Sequence, residues 1–579
     1  MEPTLTAAFR AALAGLDDLP EGFDAAAVEI PFETPRDPSH GDLATNVALR
    51  LAKPLRRAPR AVAEALVAGL DLDPALVEGV EIAGPGFINV RFASQHLTDG
   101  LAEVLAAGDA WGRSDAHAGE TAIVEFVSAN PTGPLTVGHG RNAVLGDTVA
   151  TLLEWTGYDV TREYYYNDAG RQMRVLAQSV RARYLALVDP DHPTHTLGDG
   201  LVVPQGFPDD GYRGDYIGDI AQALADAHGD ALAQTGELDP FRDAATEAIF
   251  ADIEGSLSRL GVQMDGQFNE RDLYANDAVW QVVRDLTDRG LAYEKDGATW
   301  FKTSALGKTR TTRDGVEEGA DTVLVKSTGE PTYRLPDIAY HLDKLARGFD
   351  LVLDVFGADH IDTYPDVVRG VRALGGDAGR IEVLVYQFVT LVRAGEPVKM
   401  STRKATYETL DDLMDEVGTD VVRFFFLMRA PGTHLEFDLD LAAEASEKNP
   451  VFYLQYAHAR IASIERKATE PGADGSPAAL SLDDAPDLSL LTHPSEEALV
   501  KTLLAFPAEV AGAAEGRAPH RLATFLREIA TAFSAFYRDC RIVGEPRDLA
   551  TARLHLAHAA RTTLGNGLAV LGIDAPERM

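Results

Sequence analysis

The segment 124–141, VEFVSANPTGPLTVGHGR, joins a strand to a helix through a turn rich in proline and glycine. The β-like run 123–128 precedes the turn, and a helix is predicted to begin at Gly138-His139. Because the first N–H groups of a helix lack partners and carry the positive end of its dipole, such a start attracts anions. This arrangement, at the carboxyl end of a strand, is typical of nucleotide sites in α/β sheets.

Strands and helices alternate beyond this junction. The helix is predicted to end at Trp155, and a strand follows at 159–166. A second series places a strand at 351–356 and a helix at 365–374. This alternation predicts βαβ units and a Rossmann-like parallel sheet in a multidomain α/β chain. Since 188–215 is rich in Pro, Gly, Asp and His, we expect an insertion to split the sheet, at about 188–290.

The flanking regions predict two further kinds of domain. A short strand with alternating polarity at 87–92 indicates a small α+β module at the N-terminal side. From Leu410 onward we expect no strands, because apolar residues recur at helical spacing to the end and predict an all-α bundle. The predicted divisions are 1–112, 113–395, 396–445 and 446–579.

Composition limits the class of protein. With 579 residues the chain is too long for one core, which predicts three or four domains. The 45% hydrophobic content and the lack of a long apolar run favour a soluble protein without a membrane partner. Cys540 is the single cysteine, which fits a reducing cytoplasm. The net charge of −37 argues against sequence-blind affinity for nucleic acid but permits a specific nucleic-acid partner.

A second candidate phosphate motif lies at 398–404, with sequence VKMSTRK. The alternative for this motif is a solvated face, which three cations within a few positions often form. The alternative for TVGH is an ordinary helix start with a capping histidine. A basic loop is also what phosphoryl chemistry needs, because charge develops on pyrophosphate as it leaves.

These two motifs, in this order on a split βαβ domain, resemble the HIGH and KMSKS signatures of class I aminoacyl-tRNA synthetases. Longer strings narrow the match, and nearly the whole chain resembles bacterial-type arginyl-tRNA synthetase. They are ANPTGPLTVGHGR, EYYYNDAGRQM (163–173), DTVLVKSTGEPTYRLPDIAYHLDKLARGFD (321–350), NPVFYLQYAHARI (449–461) and LGIDAPERM (571–579).

The resemblance implies ligation of L-arginine to its cognate tRNA through an arginyl-adenylate, with ATP and its accompanying Mg²⁺. Members of the family usually need tRNA to activate arginine. For ATP the implied residues are Asn130, Pro131, Thr136, Gly138, His139, Lys399 and Met400, and the implied catalytic groups are His139, Lys399, Ser401 and Lys404. No metal site of the protein's own is expected.

The motifs depart from the family pattern at two positions. Thr136 replaces the first histidine, and it keeps a hydroxyl donor but no imidazole. Thr402 replaces the second lysine, and either Lys404 or Arg403 could supply its charge. Arginyl enzymes commonly vary here, so we still expect an active enzyme.

Arginine specificity is expected to depend on carboxylates, because a planar guanidinium pairs best with acidic acceptors. The resemblance implies that Glu125, Tyr333 and Asp337 line the arginine pocket, with Asn130 near the α-amino or carboxylate end. Tyr333 and Asp337 are four residues apart and would project from one helix face. The structural alternatives are a helix N-cap for Asp337 and a core aromatic for Tyr333. Roles for Asp359, His360, Asp168 and Gln172 stay open.

Recognition of tRNA is implied at both ends of the chain. Phe87 and Asn89 match the strand that contacts the D-loop in the family, where an aromatic ring and an amide suit an unpaired base. The alternative is a core phenylalanine and an ordinary strand asparagine. Tyr453 and Met579 are the chosen candidates in the anticodon-binding bundle. A wider set of candidates in the bundle also includes Tyr456, His458, Arg460, Phe536 and Tyr537. Most of these side chains must lie in the core of the bundle.

Two rival functions stay open at this point. One is a class I synthetase for another amino acid, which the acidic pair Glu125 and Asp337 disfavours. The other is a catalytically weak tRNA-binding paralogue, which only the two threonine replacements support. We expect a cytoplasmic monomer.

Overall fold

The computed structural model describes residues 1–16, 19–33, 35, 37–311, 314–398, 409–470 and 480–579. The first elements are α1 (Glu2–Ala14), β1 (Leu43–Thr45), α2 (Val47–Leu51), α3 (Pro59–Ala68), β2 (Val77–Ala83) and β3 (Phe87–Phe92). The strands form an antiparallel sheet in the order β1-β3-β2, and β3 has the bounds predicted from its alternating polarity. This module has a core of its own, which includes Phe9, Leu13, Val47 and Val90.

Helix α4 (Ser94–Ala107) packs outside that core. Its Leu97, Leu101 and Val104 join the large core of the rest of the chain. After it come β4 (Thr121–Glu125), α5 (Val137–Trp155), β5 (Asp159–Tyr166), α6 (Gly170–Val188), β6 (Thr194–Thr196), β7 (Val202–Pro204), α7 (Asp215–His228), α8 (Asp239–Arg259) and β8 (Gly266–Asn269). The cores therefore separate near residue 92, whereas the sequence prediction divides the chain at 112.

A second group of elements returns the chain to the sheet. It comprises α9 (Glu270–Ala275), α10 (Ala278–Asp288), β9 (Ala292–Lys295), β10 (Ala298–Phe301), β11 (Thr309–Thr311), β12 (Glu317–Gly319), β13 (Thr322–Val325), α11 (Arg334–Ala346), β14 (Leu351–Gly357), α12 (Tyr364–Ala373) and β15 (Ile381–Tyr386). The central sheet has the order β15-β14-β4-β5-β8, and every pairing in it is parallel. The predicted parallel α/β architecture is confirmed.

The sheet order shows which segments leave the sheet. Strand β8 falls inside 188–290, the expected insertion, yet it is an edge strand of the central sheet. The next departure lies between β8 and β14, where β13, β10 and β9 form a separate antiparallel sheet. The residues 188–215 form the small β6–β7 hairpin and its connections.

The remaining elements are mainly helical: β16 (Val389–Arg393), β17 (Glu396–Pro397), α13 (Leu410–Val417), α14 (Thr419–Leu427), β18 (Leu435–Asp438), α15 (Leu439–Ala442), α16 (Pro450–Thr469), α17 (Pro494–Glu515), α18 (Pro519–Asp539) and α19 (Arg547–Val570). The predicted bundle is confirmed, but the expected lack of strands after Leu410 is wrong. Strand β18 pairs in parallel with β16. Its four residues are too short to show alternation in the sequence.

Helix α5 is buried on nearly all sides, because the sheet, α13, α14 and the bundle surround it. Its glycines permit that packing. A Cβ on Gly140 would lie 2.5 Å from Leu410 Cδ1, and one on Gly146 would lie 2.2 Å from Phe126 Cγ. The start of α5 is thereby held at the carboxyl edge of β4.

The bundle contacts the N-terminal module and the segment after α4 through polar pairs. Lys501 Nζ lies 2.7 Å from Asp42 Oδ1 of the module, and Trp111 Nε1, after α4, donates to the Leu503 carbonyl at 3.1 Å. Within the described residues, no helix combines the length and apolar character needed to cross a membrane.

Candidate active site

The start of α5 carries a reciprocal cap between Thr136 and His139. The Thr136 hydroxyl accepts from the His139 backbone N–H at 3.4 Å, and the His139 ring Nδ1 accepts from the Thr136 backbone N–H at 3.2 Å. Since Nδ1 is an acceptor, a neutral ring carries its proton on Nε2. Burial lowers the pKa of His139 and favours that neutral ring. Among the described residues the Nε2–H of this capping histidine has no partner, which leaves it available to a ligand.

Gly138 differs from the packed glycines of the same helix. Of the described residues, a Cβ there would meet only the Thr136 hydroxyl, at 3.7 Å, so packing within this part of the protein does not require glycine. The Tyr386 hydroxyl donates to the Gly138 carbonyl at 3.4 Å and joins the end of β15 to this helix start. Space beside Gly138 is therefore open to a ligand that lies against the backbone.

The turn before α5 is fastened to the end of β5. Asn130 Nδ2 donates to Gln172 Oε1 at 3.1 Å, and Asn130 Oδ1 accepts from the Asn167 backbone N–H at 3.0 Å. Pro131 is buried. Asp168 pairs with Arg271 through Oδ2 at 2.9 Å, while its buried Oδ1 has no partner among the described residues. Both polar ends of Asn130 are thus engaged within the protein.

Helix α11 begins at Arg334, so Asp337 lies in its first turn and Tyr333 is the N-cap residue. Tyr333 is 75% exposed and is not a core aromatic. The Asp337 carboxylate forms no hydrogen bond or salt bridge within the described ranges. Burial raises the pKa of Asp337 to about 7; repulsion from Glu125 and Glu270 adds to this, while His341 opposes it.

Behind Asp337 lies a buried charge network that consists of Glu125, Lys344, Asp354 and His341. Lys344 Nζ is fully buried and donates to Glu125 Oε2 at 2.5 Å and to Asp354 Oδ1 at 2.6 Å. His341 Nε2 contacts Asp354 Oδ2 at 2.6 Å, and its Nδ1 contacts the Asp337 backbone carbonyl at 2.7 Å. This network links the end of β4, the middle of β14 and one face of α11.

The partners of His341 determine its charge. A carbonyl and an ionised carboxylate can only accept, so both ring nitrogens donate and the ring is an imidazolium. Burial opposes the charge on His341, but Asp354 outweighs burial and raises the pKa of the imidazole. Likewise, burial disfavours ionised Asp354, but Lys344 and His341 outweigh it and lower the pKa of this carboxyl.

With both carboxylates ionised, the buried charge network is neutral, because two cations balance two anions. Glu125 accepts from Lys344 at one oxygen and from the Ser128 hydroxyl at the other, at 2.9 Å. Burial still raises the pKa of Glu125, with Lys344 opposing it. Of the three carboxylates Glu125, Asp354 and Asp337, Asp337 is the one that forms no salt bridge among the described residues.

Lys344, His341 and Asp354 were missed in the sequence analysis. A usable signal was present in LVLDVFG (351–357), where Asp354 interrupts an apolar strand and therefore needs a buried partner. His341 follows Asp337 by four residues and Lys344 follows it by seven, which is one face of a helix. Only the fold shows that this face meets β4 and β14.

A small pocket opens beside Asp337. Its lining includes Asp337, His341, Phe356, His360, Thr363 and Tyr364. His360 stacks on Phe356 with ring centroids 5.2 Å apart, and it remains half exposed. Asp359 is also exposed, at 3.7 Å from His360. Asp337 and His360 therefore border the same opening.

The predicted basic motif lies mostly outside the described residues, which include neither Lys399, Met400, Ser401 and Lys404 nor Thr402 and Arg403. The first described residues after it approach α5. The Leu410 backbone N–H donates to the Leu135 carbonyl at 2.8 Å, one residue before the Thr136 cap. In the described ranges no group of three or more His, Cys, Asp or Glu could hold a metal ion.

The candidates for tRNA recognition differ in exposure. Phe87 is 36% exposed and Asn89 is buried on the same strand. In the bundle, Tyr453 is partly buried and Met579 is 57% exposed. Of the wider set, His458 and Phe536 are core, while Tyr456, Arg460 and Tyr537 are exposed and Arg460 lies 4.5 Å over the Tyr537 ring.

Three family models match successive parts of the chain. They are described as the arginyl tRNA synthetase N terminal domain (residues 3–92), the tRNA synthetases class I (R) catalytic domain (101–194) and the DALR anticodon binding domain (454–579).

Curated relatives match over the full length. The arginine–tRNA ligase of Salinibacter ruber is 59% identical over 100% of both chains. That of Desulfotalea psychrophila is 49% identical over 96% of both chains.

Solved structures share the fold. A putative arginyl-tRNA synthetase from Campylobacter jejuni superposes with a TM-score of 0.73 at 28% identity, over 84% of this chain and all of that one. The Thermus thermophilus arginyl-tRNA synthetase gives 0.74 at 23% identity over the whole of both chains.

Proposed function

The chain belongs to the arginyl-tRNA synthetase family, and we propose that the helix starts of α5 and α11 divide the binding of its substrates between them. The chain is a class I enzyme that ligates L-arginine to tRNA with ATP. Neither rival function receives support from the relatives. The observation that carries our assignment is the Asp337 carboxylate, which has neither a salt bridge nor a hydrogen bond among the described residues and lies at the edge of the sheet where the α5 start also lies.

We propose that ATP binds at the start of α5. The neutral His139 would donate its Nε2–H to a phosphate, and the helix N–H groups would add to that attraction. Gly138 would let the nucleoside approach the backbone, next to Asn130, Pro131 and Thr136. The Mg²⁺ that neutralises part of the phosphate charge would arrive with ATP as part of the substrate.

The basic motif is assigned from the sequence alone. Lys399 and Ser401, with Met400 beside them, would contact the phosphates, and Lys404 would supply the charge missing at Thr402. These groups would stabilise pyrophosphate as it leaves.

Asp337 is proposed to pair with the guanidinium of arginine. Burial and repulsion raise the pKa of the Asp337 carboxyl to about 7. A cation that enters the pocket would favour the ionised form of this carboxyl. Tyr333 is exposed at the same helix start and would cover the ligand. Glu125 would line the pocket from β4, oriented by Lys344, and Asn130 would lie near the α-amino or carboxylate end.

The remaining assignments are also proposals. We propose that 1–112 reads the tRNA D-loop with Phe87 and Asn89, and that 446–579 reads the anticodon with Tyr453 and Met579. Between them, 113–395 would be the catalytic domain with its insertion, and 396–445 would contact the tRNA stem. We propose that the enzyme is a cytoplasmic monomer.

ATP–pyrophosphate exchange across the standard amino acids, with and without tRNA, tests this proposal. We expect exchange only when arginine, ATP and cognate tRNA are present together. Exchange with another amino acid, or none with arginine under any condition, would contradict the proposal.

A further inference from the structure

His341 joins the first turn of α11 to the middle of β14. Its Nδ1 lies 2.7 Å from the Asp337 backbone carbonyl, and its Nε2 lies 2.6 Å from Asp354 Oδ2. The imidazole is buried, and Asp354 is fully buried. Because a carbonyl and an ionised carboxylate can only accept, both hydrogen bonds exist together only while the ring is an imidazolium. The backbone that carries Asp337 is therefore held by a charged side chain whose two nitrogens are both engaged inside the protein.

The imidazolium also sets the net charge of the buried charge network behind Asp337. With it, the cations Lys344 and His341 balance the anions Glu125 and Asp354. Without it, one negative charge in excess would lie in a buried region next to Asp337. A negative charge close by disfavours the ionised form of a carboxyl group. An uncharged Asp337 could not form an ion pair with a guanidinium.

Other titratable groups face Asp337 from neighbouring elements. They are Glu270 and Tyr274 of α9, Tyr165 of β5 and, across the small pocket, His360 and Tyr364. Burial raises the pKa of Tyr165 and of Tyr274, so both stay uncharged near neutral pH. The Tyr165 hydroxyl donates to Glu270 at 2.7 Å, and Glu270 repels Asp337. His360 is half exposed, so solvent screens its charge.

The two cations of the buried charge network differ in their effect on Asp337. Burial is the largest influence and raises the pKa of this carboxyl, while His341 and Lys344 lower it. The effect of His341 is the larger of the two. Lys344 is committed to two carboxylates, at 2.5 Å from Glu125 and 2.6 Å from Asp354. His341 is therefore the buried cation that favours the ionised form of Asp337 most.

We propose that His341 is a positioning residue for arginine, because its imidazolium holds the first turn of α11 against β14 and keeps the region behind Asp337 from becoming negative. This role rests on the proposed pairing of Asp337 with the guanidinium. His341 acts through Asp337, by fixing its backbone and by favouring its charge. A neutral side chain at position 341 would keep a hydrogen bond at most and would not supply the charge.

His341→Gln in the full-length enzyme is the primary test. The kcat/KM for arginine is measured in aminoacylation between pH 6 and 9 with saturating ATP and tRNA, since this ratio reports titration of the free enzyme. The acid limb is expected near pH 7 in the wild type. Loss of a neighbouring opposite charge moves the titration of a carboxyl by about 1–3 pH units, and we expect about one upward because Lys344 remains. At pH 7 the KM for arginine should then rise about fivefold, with kcat and the KM for ATP unchanged.

A second substitution, Asp354→Asn, separates charge from structure. In Asp354→Asn/His341→Gln the remaining pair of Lys344 and Glu125 is neutral, so the acid limb should return to its wild-type position. A purely structural histidine predicts the opposite, because the double variant has lost more contacts than His341→Gln. If His341→Gln does not fold, the double variant and Asp354→Asn alone keep the test, since an upward shift in either would overturn the proposal.

His555→Gln is the matched control. His555 is also buried on a helix, and its Nδ1 lies 2.9 Å from the carbonyl of Thr551, four residues earlier. Its Nε2 lies 3.1 Å from the Leu482 carbonyl, and among the described residues it forms no salt bridge. We expect its loss to leave the acid limb in place. Because His360 also borders the pocket, the shift caused by His341→Gln should persist when His360→Gln is present in both enzymes.

An acid limb at its wild-type position in folded His341→Gln would overturn the proposal. An equal shift in His555→Gln, or a double variant that keeps the full shift, would overturn it as well. Failure of the proposed function looks different, because the wild-type acid limb would then be absent or would persist in Asp337→Asn.

Discussion

Replacing Asp337 by asparagine removes the uncompensated charge of the proposed arginine pocket while keeping its shape. Loss of one partner of a desolvated charge pair costs about 3–5 kcal/mol. Asp337 is only partly buried, so the lower end applies, and about 3 kcal/mol corresponds to a fall of roughly 100-fold to 200-fold in kcat/KM for arginine. The KM for ATP should change little, because the start of α5 is untouched.

The structure also predicts the effect of this variant on stability. Asp337 has no hydrogen bond or salt bridge within the described ranges, and Glu125 and Glu270 repel it. Asp337→Asn should therefore leave the melting temperature unchanged or raise it slightly. This separates loss of arginine binding from loss of fold.

Steady-state aminoacylation with varied arginine, beside a calorimetric melt, measures both effects. Asp343→Asn is the matched control, because Asp343 is on the same helix and pairs with Arg347 at 3.0 Å. A normal KM for arginine in Asp337→Asn, or an equal loss in Asp343→Asn, would refute the reasoning.

Three further predictions rest on the same geometry. Arginine binding should weaken about tenfold per pH unit below about 7, because protonation of Asp337 removes the charge that pairs with the guanidinium. This pH dependence should vanish in Asp337→Asn, and a flat wild-type profile of kcat/KM between pH 6 and 8 would contradict the prediction. Lys344→Met should destabilise the enzyme by about 3–5 kcal/mol, since Glu125 and Asp354 would share a buried site without that cation. An unchanged melting temperature would count against the buried charge network. Gly138→Ala should raise the KM for ATP without changing the melting temperature, whereas Gly140→Ala should destabilise the enzyme by about 1–3 kcal/mol through its clash with Leu410. Equal melting curves for the two variants would disprove this distinction.

Local patterns in the sequence were enough to predict the elements that build the proposed nucleotide side of the site. Strand β5 has the predicted bounds, and α5 begins one residue before the predicted start. Such elements are readable because period, capping residues and turn residues act between near neighbours. Short strands such as β18 cannot be predicted in this way, since four residues are too few to show an alternating pattern.

The charges in the proposed arginine pocket depend on contacts between distant parts of the chain. Lys344 and Glu125 are 219 residues apart. The sequence shows which residues can ionise, and the family resemblance pointed to Asp337 and Glu125. Only the tertiary structure shows that Lys344 compensates Glu125 and that Asp337 has no cation among the residues it describes. Burial and the position of opposite charges decide this difference, and both are properties of the folded chain.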